Sequence, residues 1–293
     1  MLIDSHHHLW AYSPAEYPWI SDAMPMLRHD FLSNELADIA QQSAVDGFVT
    51  VQARQSIAET ETLIDIARQN RRILGVVGWV PLADPSVADH LAALADSPVL
   101  KGVRHVVQDE PDDRFLLGAD FNAGVARLAE FGLVYDILIY ARQLPAAIEF
   151  ADRHPNISMV LDHIAKPTID PQSYDLEWEK GFRELAKRPH VTCKFSGVAT
   201  EIRSGNLSDL AAQWSIDDIR RYWDVALEAF TPSRLMFGSD WPVCLLRTSH
   251  SRWLETVREL AASLSPAEQT QLFSKTAIDT YHLTVVREWS VTS

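Results

Sequence analysis

Eight short apolar runs rich in β-branched residues punctuate the chain, and each is followed by an amphipathic stretch. The runs cover residues 2–5, 47–52, 73–80, 100–107, 133–139, 157–163, 191–197 and 235–239. The amphipathic stretches cover 34–45, 58–71, 87–95, 121–131, 143–153, 175–187, 216–229 and 251–263. Strands that alternate with helices imply parallel strands joined by right-handed crossovers. Eight such units in 293 residues favour an α/β fold, a (β/α)8 TIM barrel in one domain spanning residues 1–293. A doubly wound open sheet is the structural alternative. Ser265-Pro266-Ala267-Glu268 reads as a capping box with Pro at the first helical position, which predicts an extra C-terminal helix.

A net charge of −14 argues against nucleic acid or an anionic membrane as a partner. No apolar run approaches the roughly 20 residues that span a bilayer. The chain enters a strand at Leu2-Ile3 with no basic region and no apolar leader, which argues against secretion. Cys193 and Cys244 lie on separate segments and read as reduced thiols of a cytoplasmic protein.

Barrel enzymes carry their chemistry at the C-terminal ends of the strands. His6 and His8 stand two residues apart at the end of the first strand, so their side chains share a face while His7 faces away. They suit either a divalent metal or hydrogen bonds to a substrate oxygen. Asp240 follows the last strand and reads as a general base or as a helix N-cap. His163 ends the sixth strand, as a third catalytic imidazole or a core histidine, and Asp162 is expected to bond the scaffold. Gln52, Arg54, Arg104 and His105 are candidates to hold substrate hydroxyls or a carboxylate, and surface ion pairing is their bland alternative. Asp136 and Tyr140 end the fifth strand and join the substrate-binding set. Trp10 and Trp241 flank the catalytic candidates and are expected to form an apolar wall for a ring's C–H face. Lys194 reads as a buried, paired lysine. The connections 9–33, 108–120 and 198–215 are long enough to build a pocket wall.

His6-x-His8, Gly238-Ser239-Asp240-Trp241-Pro242, Asp162-His163-x-x-Lys166-Pro167 and Phe273-Ser274-Lys275-Thr276-Ala277-x-x-x-Tyr281-x-Leu283 together resemble the amidohydrolase superfamily, in its amidohydrolase 2 branch. The full set most resembles the sugar-lactone hydrolases of that branch, the L-fuconolactonase and L-rhamnonolactonase type. That resemblance implies a barrel, water attack on a carbonyl carbon and Asp240 as base, with His6, His8 and His163 around the carbonyl oxygen. Binuclear members bridge two metals through a strand-four Lys or Glu, where this chain offers Arg104-His105. The expectation is therefore no required cofactor, and at most one adventitious zinc on His6, His8, His163 and Asp240. The expected partner is a small-molecule sugar lactone. A carboxylated lactone from aromatic breakdown, held by Arg54, Arg104 and Arg142, is the runner-up. A metal-dependent decarboxylase and an inert binding barrel are the alternatives from other classes.

Overall fold

Parallel pairing runs unbroken through eight strands of the computed structural model, in sequence order. The structure describes residues 1–203 and 214–285; residues 204–213 of the expected long connection 198–215, and the last residues of the expected domain, lie outside them. The strands are β1 (Ile3–His7), β2 (Gly47–Val51), β3 (Ile73–Gly78), β4 (Leu100–Val106), β5 (Val134–Leu138), β6 (Met159–Leu161), β7 (Val191–Phe195) and β8 (Leu235–Phe237). The helices are α1 (Glu35–Ser43), α2 (Ile57–Gln69), α3 (Val87–Leu94), α4 (Ala119–Arg127), α5 (Leu144–Arg153), α6 (Leu176–Leu185), α7 (Ile216–Phe230) and α8 (His250–Leu260). Two short helices follow, α9 (Pro266–Thr270) and α10 (Thr276–Tyr281). The capping box opens α9 as expected, with Ser265 and Glu268 bonded reciprocally. Eight parallel strands with helices between them form the expected (β/α)8 barrel.

Strand alternation divides the side chains into two sets. Ile3, Val49, Val51, Val77, Val134, Val160 and Met236 face the barrel axis and fill it as an apolar layer. Tyr281, Ala277 and Leu283 close that layer from α10 and the segment after it. The opposite faces (Phe48, Val76, Val103, Tyr135, Leu161, Phe195 and Phe237 among them) pack under the helices. Two residues further along β4, β5, β6 and β7 the axial positions turn polar: Arg104, Asp136, Asp162 and Lys194, all buried. Polar residues at core positions are costly unless paired, so this layer marks function rather than folding.

Closure of the barrel depends on β1. Its register against β2 shifts between Asp4 and His7. The irregularity brings His6, rather than Ser5, inward after Ile3. Asp240 N donates to the His6 carbonyl at 2.8 Å and His8 N to the Trp241 carbonyl at 2.7 Å, which seals β1 against the end of β8. Asp4 Oδ1 accepts from Ser239 N at 2.8 Å, and Asp4 Oδ2 lies 3.1 Å from His250 Nε2. His7 faces away from the axis, 3.0 Å from the Thr50 hydroxyl. Among the described residues, no helix is long and apolar enough to cross a membrane.

Candidate active site

His6 sits at the centre of the polar layer. Its Nδ1 is 3.3 Å from both Lys194 Nζ and Asp162 Oδ1. Its Nε2 is 3.3 Å from Arg104 Nη1 and 3.2 Å from His8 Nε2. Arg104 Nη1 donates to Asp162 Oδ2 at 3.0 Å, and Nη2 to the Gln52 carbonyl at 2.5 Å. Lys194 Nζ donates to Asp136 Oδ2 at 2.5 Å and lies 3.0 Å from Asp162 Oδ1, the latter a charge contact without hydrogen-bond alignment. Two cations thus balance two carboxylates in a buried layer that only Arg104 extends to the cavity, the arrangement that buried charge requires. Burial would raise Asp162, but Lys194, His6 and Arg104 outweigh it and hold the carboxyl well below its usual range. Burial pushes Asp136 up to about 6 against the pull of Lys194. His6 is driven well below its ordinary value by burial, so it is neutral.

The end of β6 departs from the expected strand. β6 stops at Leu161, and His163, Ile164, Ala165 and Lys166 all have positive φ, between 45° and 60°. Each such non-glycine residue costs roughly 1–3 kcal/mol, and β-branched Ile164 is the least suited to that region. This left-handed turn aims His163 at the cavity floor, where the Ser196 hydroxyl lies 2.9 Å from its Nδ1. Asp162, expected to bond the scaffold, instead enters the axial layer, because alternation from Val160 points it inward. Gly197 approaches from β7 with φ +63°; a Cβ there would lie 2.6 Å from His163 Nδ1 and 3.1 Å from Asp240 Oδ2. Only glycine fits that approach.

Asp240, also at positive φ, carries the carboxylate of the site. Its Oδ1 lies 3.3 Å from His8 Nε2, 3.7 Å from His6 Nε2 and 3.9 Å from His163 Nε2. Burial would raise this carboxyl, but His163, the bond with His8 and His6 outweigh it and hold it ionised. Burial also lowers His163 to about 4, so the anion sits beside the neutral imidazoles of His6 and His163 at neutral pH. His8 Nδ1 faces the Val51 carbonyl at 2.8 Å. That oxygen can only accept, so His8 keeps its Nδ1 proton there and turns Nε2 to the site.

Above these groups lies a cavity of about 620 Å³, with His8, Arg104, His163 and Asp240 on its floor. Arg54 lines the wall, 2.8 Å from Glu16. Its backbone is held by Glu59, which accepts from Arg54 N and Ala53 N at 2.9 and 3.0 Å. Burial pushes Glu59 up to about 7 despite those donors. The aromatic wall is Trp19, a residue the sequence did not single out. Trp10 lies behind it, ring centroids 5.7 Å apart, with its indole donating to the His29 carbonyl. Trp241 packs on Phe31. Gln52 and Asp136 lie buried beneath the floor. His105 faces outward, 2.7 Å from Glu110 and stacked on Phe115. Tyr140 reaches the site indirectly, its ring carrying Lys166 Nζ at 5.6 Å and the Arg142 guanidinium at 4.8 Å. Lys166, Glu16, Gln55 and Gln108 also line the cavity, as do Asp109 and Glu110. Of these, only Lys166 carried a sequence signal, through its place in the His163 motif.

A single metal fits the donor set. His6 Nε2, His8 Nε2 and Asp240 Oδ1 converge with separations of 3.2, 3.3 and 3.7 Å. The edge of a zinc tetrahedron is about 3.4 Å, from bonds of about 2.0–2.2 Å. Against this, Arg104 competes for the His6 Nε2 lone pair.

The amidohydrolase family model matches residues 3–283 of this chain, a span that holds both the inward His-x-His on β1 and the carboxylate after β8. The chain belongs to the amidohydrolase family. It is 42% identical over 290 residues to an L-fucono-1,5-lactonase of Burkholderia multivorans, covering 96% of both chains. It is 30% identical to a second L-fucono-1,5-lactonase, from Burkholderia ambifaria, over 96% of this chain and 95% of the relative. A crystal structure of a Burkholderia multivorans amidohydrolase with bound zinc superposes with a TM-score of 0.90 at 41% identity, over 97% of this chain and 100% of that one. A second crystal form with bound HEPES superposes equally well.

Proposed function

We propose that this amidohydrolase hydrolyses a sugar-acid lactone of the L-fuconolactone kind to the free aldonic acid, with Asp240 as general base. The observation that carries the reading is the ionised Asp240 carboxylate on the cavity floor, flanked by His8 and His163 with His6 beneath. The lactonase relatives supply the substrate class. Water's oxygen adds to the lactone carbonyl carbon as Asp240 takes its proton. The tetrahedral oxyanion collapses, the bond from that carbon to the ring oxygen breaks, and the ring oxygen leaves with the electron pair and takes the proton from Asp240. The acid then loses its proton to solvent. His163 and Arg104 are the oxyanion donors of this account, each contributing roughly 3 kcal/mol when well placed. His8, with Nδ1 committed to Val51, offers Nε2 to the water or to its proton.

Trp19 offers an apolar face to the ring, and Arg54, Gln55 and Gln108 are placed to bond its hydroxyls. The carboxylated-lactone reading asks for free guanidinium groups. Arg54, Arg104 and Arg142 are already paired with Glu16, Asp162 and Asp113 at 2.8, 3.0 and 2.8 Å. A metal on His6, His8 and Asp240 would polarise the carbonyl and lower the pKa of bound water. Hydrolysis without one is part of this proposal, because a lactone ester is far more electrophilic than an amide and Arg104 already supplies a cation beside His6. The free, buried Cys193 and Cys244 accord with a cytoplasmic location.

The test is a stereochemically complete sugar-lactone panel beside a dicarboxylated lactone, with and without exhaustive chelation. The reading predicts preference for sugar lactones and rates that survive chelation. Preference for the dicarboxylate would overturn the substrate class. Loss on chelation with recovery on added zinc would overturn the metal-free part.

A further inference from the structure

Among the described residues, one cation of the cavity wall stands outside ion-pair distance of any carboxylate. Arg54 and Arg104 line it as ion pairs, with Glu16 and Asp162. Lys166 lines it too, and among the described residues no carboxylate lies within ion-pair distance of its ammonium. Glu201 feels the Lys166 charge from beyond ion-pair distance: burial pushes its carboxyl up and Lys166 offsets part of that rise. Lys166 is not idle surface. Its backbone N–H bonds to the His163 carbonyl at 2.8 Å, within the left-handed turn that also sets His163. Its side chain extends over the Tyr140 ring, at 5.6 Å. One strained turn thus presents both a neutral imidazole and an ammonium to the same space.

The reaction creates negative charge where the substrate has none. A sugar lactone is neutral; the tetrahedral species is an oxyanion and the released aldonate a carboxylate. The oxyanion takes over the charge that Asp240 gives up on accepting water's proton, and the aldonate carboxylate then forms beside the re-ionised Asp240, in a buried site where like charges repel strongly. Resting on the lactonase reading, we infer that Lys166 is a further catalytic residue, the counter-cation for the oxyanion and then for the product carboxylate. An unpaired ammonium interacts with the charged states and little with the neutral lactone. That is the differential binding that raises kcat rather than lowering KM. The same preference makes the aldonate a competitive inhibitor.

The experiment compares the unaltered protein with Lys166→Met and Lys166→Arg. Methionine keeps the length and the Cβ, and so adds no backbone strain; arginine keeps the charge. Turnover of sugar lactones by the unaltered protein tests the functional reading by itself. The Lys166 inference is read on aldonate affinity by calorimetry, which needs no turnover, and on kcat and KM. Lys166→Met should weaken aldonate binding at least tenfold and lower kcat about 10²-fold, the scale of one lost oxyanion donor. KM for the neutral lactone should stay within about threefold, the mark of binding confined to the charged states. Lys166→Arg should keep aldonate binding within about fivefold. Aldonate affinity unchanged by Lys166→Met would overturn the inference. So would a parallel loss of lactone and aldonate binding, which indicates a damaged pocket.

Discussion

Burial sets the charge state of this site residue by residue. His163 is lowered to about 4, His7 to about 3 and His6 well below its ordinary 6.5, in each case chiefly by burial. An unfolded chain has these imidazoles near 6.5. Between about pH 6.5 and 4 the unfolded state therefore binds more protons than the folded one, and stability falls as the pH drops through that window. Asp240 and Asp162, lowered below their usual value, add stability that is present above about pH 4 and lost on further acidification. Asp136 and Glu59, raised to about 6 and 7, act in the opposite sense and offset part of the imidazole effect. Burial also lowers His105, His154 and His190, so the imidazoles outnumber the raised acids. The melting temperature, followed by calorimetry, should fall by several degrees between pH 6.5 and 4.5; a constant or rising value would contradict this balance. The convergence of His6, His8 and Asp240 was legible because a two-residue spacing and a strand end are local properties. Which tryptophan faces the cavity was not. Trp10 and Trp19 both lie in the 9–33 connection, and its packing against Phe31 and Tyr17 decides between them.

At the level of elements, the helix bounds followed from amphipathic spacing to within a few residues, and the α9 capping box was read directly. Two departures had no sequence signature. The register shift in β1 and the left-handed turn after β6 are backbone choices that tertiary contacts impose, and both lie at the site. The role of α10 is a third. Tyr281 reaches from it into the barrel axis and donates to Asp136, its hydroxyl 2.7 and 2.9 Å from the two oxygens. That hydroxyl helps satisfy the carboxylate that holds Lys194, which in turn touches His6. Tyr281→Phe leaves a buried carboxylate short of a donor and should cost about 1–3 kcal/mol of stability in urea unfolding. Tyr281 does not reach the cavity, so kcat should change by less than about threefold. Undiminished stability would show that the hydroxyl bond is energetically idle.

For the molecule as a whole, barrel closure makes the site possible. The residues that define it lie some 230 positions apart, and the bonds linking Asp4, His6 and His8 to Ser239, Asp240 and Trp241 bring the two chain ends together. The eightfold strand–helix rhythm announced that closure. Lys194 was legible as a buried, paired lysine, but its partners Asp136 and Asp162, and the axial layer they form with Arg104, emerged only when four strands were laid side by side. The layer's charges cancel, so Asp240 stands as the anion of the floor, and Lys166 as a cavity cation with no ion-pair partner among the described residues. The most direct test is steady-state hydrolysis of the preferred sugar lactone by Asp240→Asn beside the unaltered protein. The account predicts a fall in kcat of about 10³-fold with the fold intact, the scale of a lost general base. A kcat within tenfold of the unaltered protein would contradict it.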